Sequence, residues 1–284
     1  MIRLGTTTLS MVGWLADPSH PGQSQRRRLD AIRRAVQDLG LSAVELTLDL
    51  PLLYPTVFDT NFYQAVGDLR QELGFTCTAH LPFLWIEPAS VNEAIRRASV
   101  HSLLQAVQLT QGLVDTYVLH LWGLATTQIV AHLENPAERE AIMAVLVAQA
   151  SRSLAELCET IEPRDICVEN LEDSLFGVAL ALADRHDTSL CFDVGHMAWQ
   201  DMDALDFLRQ HGDRIREVHL HDATREPPGS VPPVRDHLAL GQGQIDYQAI
   251  LIKLEEMGYG GPVILELNSE ADLRASLAEL RKAR

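Results

Sequence analysis

The segment Ser189-Leu190-Cys191-Phe192-Asp193 is a short, mostly apolar run that stops on a carboxylate. The same construction, an apolar and β-branched run ending on a histidine or an acidic residue, recurs along the chain. The six runs of this kind are Phe75–His80, Thr116–His120, Asp165–Glu169, Ser189–Asp193, Ile215–His219 and Val263–Glu266. Because stretches with helical spacing separate them, the repetition indicates one rim that carries one site. We interpret this rim as a metal centre.

Strand-like and helix-like stretches alternate along the whole chain. Arg3–Thr7 and Ala43–Thr47 are the first two predicted strands, and the six runs above bring the number to eight. The predicted helices are Gln23–Leu39, Asn61–Leu73, Val91–Gln111, Pro136–Thr160, Leu175–Ala183, Asp203–Gln210, Tyr247–Met257 and Glu270–Lys282. Eight strands, each followed by a helix, is the number that closes a parallel (β/α)8 TIM barrel.

A doubly wound open sheet uses the same alternation, but its site residues gather at one crevice. Here nearly every strand contributes a polar end, and no Gly-x-Gly-x-x-Gly follows Thr6-Thr7. No linker rich in Pro, Gly or Ser divides the chain. We therefore predict an α/β protein with a single TIM-barrel domain over residues 1–284 and a metal site at the C-terminal ends of the strands.

The longest predicted connection without regular structure runs from Ala223 to Ile245 and contains Pro227, Pro228, Pro232 and Pro233. Loops of this length in compact domains are usually functional or disordered. In a barrel this loop would lie on the active face, where it would act as a lid or a substrate clamp. A mobile surface excursion is the alternative.

Composition narrows the classes of partner. The chain carries 39 acidic against 23 basic residues, a formal charge of −16, which repels polyanions. The one basic cluster, Arg26-Arg27-Arg28 with Arg33-Arg34, falls on a predicted helix and is interpreted as a solvated face. We therefore expect a small-molecule substrate and no nucleic-acid partner, and we leave a homo-oligomer open.

The compartment is predicted from the start of the chain and from the cysteines. The first residues lack a basic region followed by an apolar stretch, and nowhere do about 18 apolar residues run together. The four cysteines are Cys77, Cys158, Cys167 and Cys191, and they show no paired spacing. These features favour reduced thiols in a cytoplasmic protein without a membrane span.

Four strand ends carry the chemistry: Glu169, Asp193, His219 and Glu266. Three carboxylates and an imidazole that converge on one point repel each other unless a divalent cation neutralises them. The mixed oxygen and nitrogen set suits Mn²⁺, Zn²⁺, Co²⁺ or Mg²⁺, and the lack of a thiolate argues against a closed structural zinc site. One metal site is therefore predicted from these four residues.

Further histidines extend this site. His80 and His120 end two other strands, while His196 follows Asp193 by three residues and His237 lies in the long loop. They are candidates for a second or third metal or for contacts with substrate. His221, two residues after His219, is expected to face the other way and is left out.

Several motifs together resemble the xylose-isomerase-like TIM-barrel superfamily. The motifs are Val168-Glu169-Asn170, Phe192-Asp193-Val194-Gly195-His196, Val218-His219-Leu220-His221-Asp222, Leu240-Gly241-Gln242-Gly243 and Leu265-Glu266. This group contains sugar and sugar-phosphate isomerases and epimerases, some dehydratases, and the endonuclease IV type of AP endonuclease, family 2. The resemblance spans essentially the whole chain and implies the metal ligands Glu169, Asp193, His219 and Glu266.

The endonuclease branch of this superfamily has ligands for two more metals. Its two early histidines match His80 and His120, and its later pair matches His196 and His237. That branch also has an aspartate two residues before the loop histidine, a position occupied here by Arg235. The adjacent Asp236 is out of register, so the resemblance does not give a complete third metal site.

Two mechanisms compete on this scaffold. In an isomerase or epimerase, one metal polarises a carbonyl and hydroxyl pair of the sugar while Glu169 and Glu266 exchange protons from opposite faces. In a phosphodiesterase, His80 and His120 complete a second metal site with Glu169 bridging. Short segments, among them His80-Leu81-Pro82, resemble cobamide-remodelling phosphodiesterases, which act on a small-molecule phosphodiester rather than on DNA. A non-catalytic binding protein is the third reading.

Four residues are candidates for contacts with substrate. Trp85 and Trp122 follow the histidine-bearing strands and are expected to form walls of the pocket. Arg225 and Arg235 of the long loop are the available partners for a phosphate or carboxylate.

Overall fold

The computed structural model shows eight parallel strands closed into a barrel and describes residues 2–171, 175–200, 202–227 and 229–282. The strands in chain order are β1 (Arg3–Thr7), β2 (Ala43–Thr47), β3 (Thr76–His80), β4 (Tyr117–Leu119), β5 (Ile166–Glu169), β6 (Ser189–Asp193), β7 (Ile215–Leu220), β8 (Asp222–Arg225), β9 (Val234–Leu238) and β10 (Pro262–Leu265). Around the barrel the order is β1-β10-β7-β6-β5-β4-β3-β2, while β8 and β9 form a separate antiparallel pair. The predicted TIM barrel is confirmed.

Helices connect the strands on the outside of the barrel. In the described part of the chain they are α1 (Thr8–Val12), α2 (Pro21–Gln37), α3 (Leu50–Leu53), α4 (Thr60–Leu73), α5 (Glu93–Thr110), α6 (Leu124–Ala131), α7 (Pro136–Cys158), α8 (Phe176–His186), α9 (Met197–Gln200), α10 (Ala204–His211), α11 (Tyr247–Glu256) and α12 (Glu270–Lys282). Short 3-10 helices at Pro163–Asp165 and Gly212–Arg214 lead into β5 and β7.

Helix α4 shows why the chain forms these elements where it does. The Asp59 side chain accepts a hydrogen bond from the backbone N–H of Phe62 at 3.0 Å, which satisfies one of the free donors of the first turn. Gly74 ends the helix with a φ of 72°, the left-handed conformation that glycine adopts without a steric penalty. The helix predicted over Asn61–Leu73 ends at the same residue, directly before Gly74.

The strand register brings the polar strand ends to one edge of the barrel. β6 pairs with β7 so that Asp193 lies opposite His219, and β10 pairs with β7 so that Ile264 lies opposite His219. Glu169 is the last residue of β5, and Glu266 follows β10 directly. Since all eight strands are parallel, these side chains share the C-terminal mouth of the barrel.

The segment from Ala223 to Ile245 differs from its sequence-based description as a loop without regular structure. It contains most of the hairpin β8–β9, with Arg225 paired to Val234; its Pro228 lies outside the described residues. Side-chain oxygens of Asp222 accept the backbone N–H groups of Gly241, Gly243 and Ile245 at 2.8–3.0 Å, which folds the segment back on the barrel. The prediction was wrong because four prolines and no apolar period concealed the pairing.

Helix α7 is, within the residues the structure describes, the one helix long and apolar enough by length and composition to cross a membrane. It packs against α5 and α8 and buries Leu146, Ala150, Leu154 and Leu157. A core helix of a soluble protein meets the same two criteria, so this is weak support for a membrane span. The cytoplasmic location stays a prediction.

The cysteines are unpaired, as the sequence predicts. All four are free, with Cys77, Cys167 and Cys191 buried in the strands and Cys158 partly buried at the end of α7.

Candidate metal centre

The structure brings the four predicted ligands together. One ligand atom from each of Glu169, Asp193, His219 and Glu266 lies within 4.8 Å of the other three. Glu169, Asp193 and His219 are buried, while 21% of the Glu266 side chain is exposed. Four different strands or strand ends thus supply one compact set of three carboxylates and one imidazole.

His219 occupies the middle of this set. Its Nδ1 atom lies 2.9 Å from Glu266 Oε2, 3.3 Å from Glu169 Oε1 and 4.0 Å from Asp193 Oδ2. Despite these short distances, Nδ1 has no hydrogen bond of good geometry to any described residue. A buried nitrogen without a partner is rare, and one that faces three carboxylates fits a cation ligand. The donor set thus fits Mn²⁺, Zn²⁺, Co²⁺ or Mg²⁺.

The local electrostatics favour ionised carboxylates. Burial alone would raise the pKa of Glu169, Asp193 and Glu266, but the neighbouring imidazoles lower the pKa of each below its usual range. Burial acts in the opposite direction on His219, yet the charges of Glu45, Glu266 and Glu169 raise its pKa well above the usual value. The centre therefore carries the negative charge that a divalent cation neutralises.

A second group of potential ligands adjoins the first. His80, His120 and Glu169 also have one ligand atom each within 4.8 Å of the others. Glu169 Oε2 lies 2.9 Å from His120 Nε2 and 3.3 Å from His80 Nε2. Nδ1 of His80 lies 2.8 Å from the carbonyl oxygen of Leu81 and can donate to it, which leaves Nε2 directed at Glu169. Glu169 is thus placed to bridge two sites.

A third group contains a residue that the sequence interpretation excluded. His221 lies with His196 and His237, all three with ligand atoms within 4.8 Å. The expectation that His221 faces away from the site is wrong, because side chains two residues apart along a strand point to the same face. The two-residue spacing between His219 and His221 was enough to predict that both side chains face the site.

Both ring nitrogens of His221 have hydrogen-bond partners, and these partners indicate which nitrogen carries the hydrogen. Nδ1 accepts the backbone N–H of His237 at 2.8 Å, so Nε2 carries the hydrogen and donates it to Asp193 Oδ2 at 3.0 Å. The other oxygen of Asp193 accepts the backbone N–H of His196 at 2.7 Å. Asn170 completes the frame through two 2.8 Å hydrogen bonds with the backbone of Asp193. His221 therefore orients Asp193, one of the four predicted ligands.

His237 faces the centre from the hairpin. Its Nε2 atom lies 3.8 Å from Glu266 Oε2, and its Nδ1 atom lies 2.9 Å from Asp236 Oδ1. Trp199 Nε1 donates to the other oxygen of Asp236 at 2.8 Å. Asp236, which the sequence placed out of register for a metal ligand, thus holds the ring of His237.

The barrel interior beneath the centre is also polar, which the sequence interpretation did not predict. Glu45 and Glu217 are fully buried, and each has a ligand atom within 4.8 Å of one on His219. Glu217 accepts hydrogen bonds from the hydroxyls of Thr78 at 2.6 Å and Thr116 at 2.8 Å. Burial and the nearby charge of Glu45 raise the pKa of Glu217 to about 8. Glu217 and His219 are two residues apart in β7, so their side chains point to the same face of the strand. This spacing was the sequence feature from which the position of Glu217 beneath the centre could have been predicted.

A cavity of about 190 Å³ opens onto the centre. His80, His237, Glu45 and Glu266 lie at its polar side. Trp14, Leu9, Phe83 and Leu267 form its apolar side, where Trp14 and Phe83 make an edge-to-face contact at 6.1 Å. No lysine or arginine among the described residues lines this cavity.

The four predicted substrate contacts fall outside this cavity. Trp85 is 84% exposed and Trp122 is buried, and neither lines it. Arg235 forms an ion pair with Glu226, and Arg225 pairs with Val234 in the exposed part of the hairpin. The aromatic wall of the cavity comes instead from Trp14 and Phe83.

Comparison with protein families and curated proteins gives one broad match and several partial ones. The family model described as "Xylose isomerase-like TIM barrel" matches residues 33–283. An uncharacterised protein of Methanocaldococcus jannaschii is 26% identical over 220 residues, which are 70% of this chain and 67% of that protein. An inosose dehydratase of Clostridium perfringens is 30% identical over 115 residues, which are 36% of this chain and 38% of that enzyme.

Solved structures share the fold at low sequence identity. A D-tagatose 3-epimerase-like protein superposes with a TM-score of 0.73 at 19% identity, covering 99% of this chain and 97% of that one. An AP endonuclease of family 2 from Brucella melitensis gives a TM-score of 0.65 at 15% identity, covering 100% of both chains. At these identities the similarity shows the fold alone.

Proposed function

The chain belongs to the xylose isomerase-like TIM-barrel family, and on that premise we propose that it is a divalent-metal-dependent isomerase or epimerase of a sugar or sugar phosphate. The observation that carries the proposal is the set of Glu169, Asp193, His219 and Glu266 within 4.8 Å of each other beside a small cavity. Its similar proteins include an inosose dehydratase and a D-tagatose 3-epimerase-like protein.

The two glutamates are suited to proton transfer from different sides. A divalent cation bound here would polarise a carbonyl of the substrate and acidify the neighbouring C–H bond. Glu266 lines the cavity, while Glu169 lies deeper, and β7 and β6 separate their strands around the barrel. We assign Glu266 and Glu169 as the groups that remove and return the proton. Loss of a neighbouring hydroxyl after the same first step would give a dehydratase.

The cavity favours an unphosphorylated substrate. No lysine or arginine among the described residues lines it, and the glycine-rich turn at Gly241 and Gly243 has its N–H groups bonded to Asp222. A phosphate there would face the carboxylates of Glu45 and Glu266 and would have no guanidinium or ammonium group to bind it. The rings of Trp14 and Phe83 offer an apolar wall for the C–H face of a sugar. Matched pairs of ketoses and their terminal phosphates test this preference through kcat/KM.

One observation favours a second function, a metal-dependent phosphodiesterase of the endonuclease IV-like type acting on a small-molecule phosphodiester. His80 and His120 already flank Glu169 in a geometry that suits a second cation. The net charge of −16 argues against DNA as the substrate.

Metal stoichiometry with positions distinguishes the two functions. Protein purified without chelator is analysed by elemental analysis and anomalous scattering. One cation on the four ligands, with His80 and His120 free of metal, supports the isomerase or epimerase. Two or three cations that engage those histidines support the phosphodiesterase. A Glu169→Gln variant with full activity and full metal content contradicts both.

The aromatic wall gives an independent test. Trp14→Ala is expected to lower kcat/KM for the preferred sugar about two- to tenfold, because an aromatic contact contributes about 0.5–1.5 kcal/mol. Trp14→Phe, which keeps a ring face, should retain most of the activity. Equal values for the wild type and the alanine variant would remove Trp14 from the site.

A further inference from the structure

The barrel interior under the metal centre contains carboxylates where barrels of this kind are usually filled by branched apolar side chains. Glu45 of β2 and Glu217 of β7 have no exposed surface. Burying a carboxylate costs several kcal/mol unless hydrogen bonds or opposite charges compensate. The contacts of these two residues therefore indicate what they do for the fold.

Glu217 and Glu45 differ in what they contact. Both oxygens of Glu217 accept threonine hydroxyls, from Thr78 and Thr116. Glu45 has a single side-chain hydrogen bond within the described residues, in which its Oε2 accepts from Nε2 of His219 at 3.0 Å. Its Oε1 is buried without a hydrogen-bond partner in the same part of the chain. Among the described residues, His219 is therefore the one hydrogen-bond partner of the Glu45 side chain.

His219 divides its two ring nitrogens between the interior and the centre. Nε2 points down to Glu45, and Nδ1 points up to Glu266 at 2.9 Å and Glu169 at 3.3 Å. An ionised carboxylate only accepts hydrogen bonds, so Nε2 must carry a hydrogen when it contacts Glu45. A ring that binds a cation is neutral, so its lone pair then lies on Nδ1, the atom that faces the three carboxylates of the centre.

We propose that Glu45 is a positioning residue of the metal centre, which holds His219 in the tautomer and orientation that present Nδ1 to a cation. Histidine ligands commonly donate their second N–H to a carboxylate, and removing that partner typically weakens metal binding about 10–100-fold. The inference rests on the cation site of the proposed function and is independent of the reaction carried out there.

Cation binding to three variants tests this role without any substrate. Calorimetric titration of chelator-treated protein with Mn²⁺ compares Glu45→Ala, Glu45→Gln and Thr116→Val with the wild type. Glu45→Ala is expected to bind Mn²⁺ about 10–100-fold more weakly. Glu45→Gln should lose less, because its amide oxygen still accepts the Nε2 hydrogen. Thr116→Val removes a buried hydrogen bond from the same interior without touching His219, so its affinity should stay within about twofold.

A spectroscopic readout separates positioning from packing. Nitrogen chemical shifts of labelled histidine in the Zn²⁺-loaded protein should identify His219 with its hydrogen on Nε2 in the wild type and in Glu45→Gln. In Glu45→Ala we expect loss of that single form.

Three results would overturn the proposal: wild-type affinity in Glu45→Ala, equal losses in all three variants, or a His219 hydrogen on Nδ1. If Glu45→Ala does not fold, an affinity of Glu45→Gln equal to that of Thr116→Val, together with a changed tautomer, would overturn it. Since Mn²⁺ affinity does not depend on turnover, an inactive protein with the expected affinities would contradict the proposed reaction and leave the role of Glu45 intact.

Discussion

Two adjacent groups of buried carboxylates lie in this barrel, and their partners differ. At the rim, Glu169, Asp193 and Glu266 face the imidazoles of the metal centre. In the interior, Glu217 faces the hydroxyls of Thr78 and Thr116. The three rim carboxylates have lowered pKa values, whereas burial and Glu45 raise the pKa of Glu217 to about 8.

This difference shows that burial does not decide the charge of a carboxyl group by itself. Hydroxyl donors satisfy the oxygens of Glu217 but do not offset the cost of its charge. At the rim, imidazoles both donate hydrogen bonds to the carboxylates and offset the cost of their charge. The rim carboxylates therefore stay ionised, the form that binds a cation. The interior contacts the rim through the hydrogen bond between Glu45 and His219, which we propose positions His219 for a cation.

The largest effect is expected where a rim carboxylate is removed. Asp193→Ala deletes a ligand and leaves His221 without its acceptor, so we expect cation content to fall to a small fraction of one ion per chain. A bound cation contributes several kcal/mol to such reactions, which corresponds to a loss of activity on the order of 1,000-fold. Elemental analysis and kcat/KM for the sugar substrate measure the two effects.

The matched control for this variant is Asp213→Ala, which removes an exposed carboxylate in the middle of the 3-10 helix before β7. It should keep wild-type cation content. Full occupancy in Asp193→Ala would show that the rim set is not the cation site and would remove the contrast between rim and interior.

A smaller effect is expected when the imidazole that orients a rim carboxylate is removed. His221→Ala leaves all four proposed ligands in place but deletes the hydrogen bond to Asp193 Oδ2. We expect cation affinity to fall about 10–100-fold, as for other groups that orient a ligand. Calorimetric titration with Mn²⁺ measures this change, and His101→Ala, an exposed histidine on α5, is the control.

Gly195→Ala tests the same contact from the opposite side. A Cβ atom at this position would lie 1.9 Å from Cε1 of His221, so the ring has to move. Affinities of His221→Ala and Gly195→Ala equal to that of the wild type would mean that Asp193 needs no imidazole partner.

The sequence predicted the barrel well because strand and helix signals agreed along the chain. Arg3–Thr7, Ala43–Thr47 and Ser189–Asp193 have the predicted bounds, and the helix before Gly74 starts one residue earlier than expected. The hairpin β8–β9 was missed because the segment from Ala223 to Ile245 contains four prolines and no apolar period that would indicate strands.

The site was less predictable than the fold. Strand ends identified which residues gather at the rim, and the structure places Glu169, Asp193, His219 and Glu266 there, although their role as ligands stays a prediction. The lining of the cavity depends on how the loops between strands and helices fold over the C-terminal end of the barrel. These loop conformations leave Trp85 exposed and place Trp14 at the cavity.

The sharpest test of the contrast is the pH dependence of Glu217. The folded protein holds the proton of Glu217 up to about pH 8, while the unfolded chain releases it near the ordinary value of 4.5. The wild type therefore loses stability as the pH rises from about 4.5 to 8, and no more above that. Glu217→Gln is neutral throughout and escapes this loss. Its free energy of unfolding, relative to the wild type, should rise with pH by about 1–3 kcal/mol.

Urea unfolding of both metal-free proteins between pH 5 and 8.5 measures this difference, because the rim carboxylates are common to both and cancel. The amide can still accept one threonine hydroxyl, so the variant should fold. Glu159→Gln, at the end of α7, controls for the loss of one acidic group. A difference between wild type and Glu217→Gln that stays constant with pH would mean that Glu217 is ionised in the folded state. Rim and interior carboxylates would then behave alike, and hydroxyl donors would suffice to keep a buried carboxylate charged.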